Sequence, residues 1–259
     1  MRVMLAAVPA ILSALIALSC GNASDKSTQE NSSENKQLTN TDPDAKGGNT
    51  CLLGYADKLD KLLTMEAAAA LAQLPAGEAK VTYFTAMKNT DYHNVKYAWK
   101  SDRKRSLKDA GIDMEVPTDN MIQLNGIKAR SLKSFQMTHR APTDEELKQL
   151  DKAMNDAFDK KSGNKTVNEQ VEKLDKMNID KGTQKSVAKS MGGAFEKVTK
   201  AYVEVSGIGE AASWNSVEHC LYVLDNGVEI SVTVDLSDDD AVNKEKAMAL
   251  LTQLLAKCR

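Results

Sequence analysis

The dipeptide Asn226-Gly227, set between two alternating segments, constrains this chain more than any other feature. SVEHCLYVLD precedes it and VEISVTVDL follows it. A two-residue type I′ turn needs positive φ at both central positions, which Asn and Gly adopt at least cost. With that turn, Asp225 faces Val228, and Val223/Ile230, Leu221/Val232 and His219/Val234 become opposite pairs, so one face of the hairpin is apolar. A three-residue loop would bring Cys220, Tyr222 and Leu224 to that face instead, because a slip of one residue exchanges faces. The two-residue turn therefore predicts that Val232→Asp destabilises strongly and that Ser231→Asp is tolerated. Ser237-Asp238-Asp239-Asp240 then opens a helix whose Ala247, Leu251, Leu254 or Leu255, and Cys258 form an apolar stripe. Carboxylates suit a first helical turn, where the helix dipole favours negative charge. A hairpin with one apolar face and a helix with one apolar stripe cover each other as a two-layer α+β unit.

Residues 51–141 read as an N-terminal α+β half. CLLGYADKLDKLL places Leu52, Ala56, Leu59 and Leu63 at helical spacing, and Thr64 caps the Ala-rich stretch that follows. VTYFTAM and NVKYAWKS read as strands around the turn NTDYH, with Val95, Tyr97 and Trp99 alternating against polar neighbours. Gly111 and Pro117 punctuate a less regular region, and Asn125-Gly126 within MIQLNGI suggests a further hairpin. Residues 142–201 form a polar helical segment. Thr143-x-x-Glu146 and Thr166-x-x-Glu169 match the capping box. Leu147, Leu150, Met154 and Phe158 make one narrow stripe, Val167, Val171, Leu174 and Met177 another, and Gly192-Gly193 interrupts the last helix as a bend or a close contact. Residues 202–259 hold the hairpin and its helix.

Gly77-Glu78-Ala79 and Gly209-Glu210-Ala211 each precede a hairpin and a later Ser-Asp, at Ser101-Asp102 and Ser237-Asp238. One reading is a pair of pseudo-repeated halves joined by the helical segment; the other is coincidence of short tripeptides. The expected class is α+β, with an antiparallel sheet or hairpins packed by helices.

The first 50 residues are different in kind. Arg2 is followed by a short apolar run from Val3 to Leu18, which fits a cleaved signal better than a spanning helix of about 20 residues. The run stops at Ile16-Ala17-Leu18-Ser19-Cys20-Gly21 and turns polar at once. That arrangement resembles the signal peptide of bacterial lipoproteins. The resemblance implies cleavage after residue 19, a diacylglycerol on the Cys20 thiol, a fatty acyl chain such as palmitate on its amine, and attachment to the cell envelope, with Gly21 pointing to the outer membrane. An ordinary cleaved signal followed by an incidental cysteine is the alternative. Residues 20–50 then form a tether, because a stretch whose large apolar content after Gly21 is Leu38 cannot offset its ordering entropy. Thirty such residues span about 30 Å as a coil. Gly207-Ile208-Gly209-Glu210-Ala211-Ala212-Ser213-Trp214 is also similar to a pattern in small bacterial lipoproteins that carries no assigned activity.

Composition narrows the partners. Lys and Arg total 34 against 36 Asp and Glu, a balance that offers no basic excess for nucleic acid. With Cys20 lipidated, Cys51, Cys220 and Cys258 allow one disulfide and leave one thiol, and the sequence does not choose among the pairings. They lack the C-x-x-C spacing of a redox pair. His93, His139 and His219 lie far apart without a second ligand at metal-binding spacing. Gly207-Ile208-Gly209-Glu210 lacks the third glycine of a dinucleotide loop, and the chain contains no P-loop or nucleophile elbow.

The interaction candidate is the basic run Lys100, Arg103, Lys104 and Arg105 beside Tyr97 and Trp99, weighed against a plain solvated strand end. The residues specify no catalytic, cofactor or metal site. The leading expectation is a lipid-anchored envelope protein whose body is a non-catalytic binding or structural module, with an envelope protein as a candidate partner. An envelope enzyme with scattered residues, and a toxin-immunity or inhibitor lipoprotein, are the alternatives.

Overall fold

A computed structural model describes residues 42, 44–109, 112–158, 169, 171–173, 176 and 180–259. The signal-like run, Cys20 and most of the segment expected as a tether lie outside the described residues, as do Gly111, Thr166, Val167, Leu174 and Met177. Among the described residues the chain forms two compact units. One comprises 42–141 with 198–259, and the other comprises 142–197.

The larger unit is α+β. It opens with the short helices α1 (Thr50–Leu53), α2 (Leu59–Leu62) and α3 (Met65–Ala72). Strands β1 (Lys80–Phe84), β2 (Asn94–Trp99), β5 (Asn120–Asn125), β7 (Tyr202–Val205), β8 (Ala211–Asn215), β9 (Cys220–Asp225) and β10 (Val228–Asp235) form one sheet in the order β1-β2-β5-β10-β9-β8-β7. Neighbours pair antiparallel throughout. The short β6 (Lys128–Ala129) adds to the start of β10, and β3 (Lys104–Asp109) pairs with β4 (Ile112–Pro117) as a separate ribbon. Helices α4 (Leu132–Thr138) and α7 (Asp240–Ala256) complete the unit.

The hairpin has the register its turn dictates. Asp225 pairs with Val228, Val223 with Ile230 and Leu221 with Val232, and Val234 N–H donates to His219 O. Asn226 and Gly227 have φ of 46° and 71°, the positive values of a type I′ turn. Leu221, Val223, Ile230, Val232 and Val234 are fully buried in one core with Leu52, Leu62 and Leu63 and with Ala247, Leu250, Leu251, Leu254 and Leu255 of α7. Each such aliphatic side chain contributes about 1.5–3 kcal/mol relative to exposure. The expected tolerance of Ser231→Asp does not follow, because Ser231 is only 4% exposed. The second face of the hairpin is polar but covered.

Thr64 caps α3 through its hydroxyl, which accepts from Ala67 N–H at 3.3 Å. The residues before it, expected as one helix, instead make two single turns separated at Gly54–Lys58. Gly54 is a poor helix former in the middle of that stretch, and Lys58 provides no side-chain cap. Asn125-Gly126 does not close a hairpin. The chain leaves β5 there, and β6 pairs with β10. The tether boundary at residue 50 also moves. Asn49 donates through its amide to Asp225 and through N–H to Asn226 O, and Asp42 accepts from both N–H and Oγ of Ser131. Residues before α1 are therefore already docked on the hairpin tip and the start of α4.

The segments expected as separate halves share the one sheet and meet at β5 and β10. β1 and β8 occupy matching places on either side of that seam, and Gly77-Glu78-Ala79 and Gly209-Glu210-Ala211 lie at their starts. The remainder of the match fails. Ser101-Asp102 follows the second strand of its set, whereas Ser237-Asp238 follows the third.

In the smaller unit α5 (Asp144–Phe158) begins with a capping box, in which Thr143 Oγ1 accepts from Glu146 N–H and Glu146 accepts from Thr143 N–H at 2.8 Å. Helix α6 (Lys181–Lys200) runs unbroken through Gly192-Gly193 and ends within the larger unit. A Cβ on Gly192 would lie 3.0 Å from Met154 Cε, so this glycine marks a close helix contact and not a bend.

Candidate functional site

The covered polar face of the sheet holds a cavity of about 250 Å³. Alternation along β10 sends Glu229, Ser231 and Thr233 to this face, opposite the valines of the core, and β9 adds Cys220 and Tyr222. Asn125, the last residue of β5, lies over them. Its amide Nδ2 donates to Ser231 Oγ at 3.2 Å and lies 3.5 Å from Thr233 Oγ1 and 3.7 Å from Cys220 Sγ, while Gln123 Nε2 donates to its Oδ1. Burial pushes the Cys220 thiol up to about 12, so it remains protonated at neutral pH.

Two loops close the sides. Gly126 faces the turn at Thr90–Tyr92, where a Cβ would lie 2.0 Å from Asp91 O. Only glycine allows that backbone to approach and carry Asp91 to the cavity. On the other side, Asn215 Oδ1 accepts from Val217 N–H and Glu218 N–H, which fixes the turn before β9. Glu218 in turn accepts from Tyr222 Oη at 2.9 Å. Burial pushes the Tyr222 phenol well above its ordinary range.

Glu229 closes one end with a side chain 3% exposed. Its carboxylate lies 2.8 Å from Arg130 Nη1, 3.2 Å from Lys128 Nζ and 3.3 Å from His139 Nε2, contacts that are ionic more than directed. Burial alone would raise Glu229, but the His139 contact and the charges of Lys128 and Arg130 outweigh it and hold the acid at about 2. His139 stacks on Tyr222 with ring centroids 4.1 Å apart.

The basic and aromatic candidates are elsewhere and do other work. Tyr97 and Trp99 are core residues, and their polar tips donate to Leu63 O and Pro75 O. They offer no interaction surface. Lys100 pairs with Asp119 and Lys104 with Glu115, both on the surface. Arg103 is half-buried: it donates to Asp235, Asp238 and Asn120 and to the carbonyls of Asp235 and Ser237. Arg105 reaches the other oxygen of Asp235 at 2.9 Å. Burial would raise Asp235, but His219, Arg103 and Arg105 bring it down to about 2. The basic run thus anchors the β3–β4 ribbon to the end of β10.

Cys51 and Cys258 form a disulfide, and Cys220 is the free thiol among the described residues. Asp239 caps α7 through Ala241 N–H, and Asp240 accepts from the Trp214 indole. Among the described residues, no group of three or more His, Cys, Asp or Glu is arranged to hold a metal ion, and no helix is long and apolar enough to cross a membrane. Sequence reasoning missed Asn125, Glu218, Glu229, Ser231 and Thr233 as a site. The signal was present in the polar alternation of β10, which reads equally as a solvent-facing edge.

Chemically, the cavity combines an amide, two aliphatic hydroxyls, a phenol and carboxylates already held in place, with its thiol protonated and its buried acid ionised. Such groups orient and hold a polar molecule. In comparisons with known proteins, the chain matches no family model, no curated protein and no solved structure.

Proposed function

We propose that the protein is a bacterial envelope lipoprotein, attached to the outer membrane through Cys20, whose larger unit binds a small polar ligand without catalysing a reaction. The signal-like run ending at Cys20 supports the attachment. The binding reading is carried by the Asn125–Ser231–Thr233 floor of the cavity. A nucleophilic cysteine needs its thiol lowered toward neutrality, and Cys220 is shifted the other way. A general acid must carry a proton at working pH, and Glu229 does not.

Fractionation of cells expressing wild-type protein and Cys20→Ala tests the attachment: the variant is expected in the soluble fraction, and unchanged membrane retention overturns the assignment. Pulldown from membranes followed by mass spectrometry of proteins and small molecules tests binding. A turnover of any co-purified small molecule would overturn the non-catalytic reading.

A second reading, an inhibitor or immunity protein acting on an envelope protein, is favoured by β1. Among the described residues this edge strand pairs with β2 alone, and it exposes Tyr83 and Phe84, a form suited to strand addition by a partner.

A further inference from the structure

The size, charge and hydrogen-bond polarity of the cavity restrict what can occupy it. Its volume, about 250 Å³, equals that of roughly eight liquid waters and lies just below the range of drug-sized ligands. Its lining carries Asp91, Glu218 and Glu229 against Lys128, and Lys128 is already paired to Glu229 together with Arg130. The remaining field is negative and disfavours anions.

The floor donates and the walls accept. Asn125 directs its amide hydrogens onto the oxygens of Ser231 and Thr233. Those oxygens act as acceptors, so their own O–H groups are left to donate, with the weakly accepting Cys220 sulfur as the nearby alternative. On the walls, Glu218 accepts from Tyr222 and Asp91 from Asn89 Nδ2, and an ionised carboxylate has lone pairs beyond one such bond. An ammonium ion would satisfy the carboxylates but offers no lone pair to the floor. A carboxylate or phosphate would accept from the floor but would face the carboxylates of Asp91 and Glu218. A hydroxyl group does both.

We propose that this cavity binds a small uncharged polyhydroxylated molecule, of the monosaccharide or cyclitol class, with Ser231 and Thr233 donating to its oxygens and Asp91 and Glu218 accepting from its hydroxyls. The proposal rests on the binding reading above. Tyr222 adds an aromatic side chain to the lining.

The test uses the full chain, the Asn125 side-chain amide resonances, and titration calorimetry. D-Glucose, N-acetyl-D-glucosamine and myo-inositol are added separately at millimolar concentration, with ethanolammonium chloride and sodium phosphate as comparators. At least one polyol is expected to shift the Asn125 amide and to bind at least tenfold more weakly to Ser231→Ala and Thr233→Val, while Thr233→Ser, which keeps the hydroxyl, retains binding. Circular dichroism of each variant separates lost binding from lost fold. Failure of all three polyols to shift the Asn125 amide, or binding indifferent to all three variants, overturns the proposal. A shift by the ammonium or phosphate salt alone also overturns it, yet leaves the reading of the cavity as a ligand site intact.

Discussion

Leu124 of β5 is the cross-strand partner of Val232 of β10, and both are fully buried. Through this pair the segment before the smaller unit and the segment after it become one sheet. No strand of that sheet is drawn from residues 142–197 among the described residues. Replacing 142–197 by a flexible Gly/Ser linker should therefore leave a cooperatively unfolding β-rich body, checked by calorimetry and circular dichroism. Loss of the thermal transition would show that the smaller unit is required for the sheet. In contrast, Val232→Asp places an unpaired charge at the seam and should cost more than about 4 kcal/mol, enough to abolish folding.

The Glu229 cluster gives the protein an acid limit. An acid held at about 2 when folded, against an ordinary 4.5, binds fewer protons in the native state. Its contribution is complete above the unfolded value and disappears as pH falls from about 4.5 to 2. It amounts to roughly 3 kcal/mol. Chemical denaturation at a series of pH values should show this loss. Glu229→Gln should flatten that part of the profile while lowering stability at pH 7, since Lys128 and Arg130 lose their countercharge. An unchanged acid profile in the variant would refute the assignment.

Arg103 should tolerate little change. Arg103→Ala strips Asp235 of a partner at 2.6 Å and leaves the carbonyls of Asp235 and Ser237 with one donor fewer. A loss of about 3–5 kcal/mol is expected in denaturant melts. Arg103→Lys should recover only part of it, because one ammonium cannot span the five acceptors that the guanidinium reaches. Full recovery by lysine would mean that charge alone matters there.

Cysteine chemistry separates the two kinds of thiol. Cys51→Ser or Cys258→Ser should lower stability by about 2–5 kcal/mol, read from urea midpoints under non-reducing conditions. Cys220 should not react with a thiol reagent in the folded protein and should react at once in denaturant. Rapid native labelling of Cys220 would contradict its burial.

Much of the fold is local and was therefore legible. The Asn226-Gly227 turn, the Thr64 and Thr143 caps and the Tyr97/Trp99 alternation each depend on neighbours within a few residues. The candidate site and the anchor of the β3–β4 ribbon depend on distant ones. Arg103 finds Asp235, 132 positions away, and Asn125 meets Ser231, 106 positions away. Neither pairing leaves a spacing pattern. Asn125-Gly126 misled for a physical reason: Asn-Gly predicts a tight turn, but here the glycine is needed for the approach of the Asp91 backbone. The aromatic residues beside the basic run also read two ways, and the carbonyls of Leu63 and Pro75 decide for the core.

The disulfide has a consequence in time. Cys51 and Cys258 are separated by 207 positions, and Cys220 lies between them. A chain made from its N-terminus offers Cys51 the wrong thiol before the right one. Pairing of β9 with β10 and β8 removes Cys220 from competition, because its sulfur is buried in the assembled sheet. Pairing β9 with β10 thus also acts as a proofreading step, and a hairpin slowed by replacing Gly227 should reveal itself as non-native Cys51–Cys220 linkage during oxidative refolding.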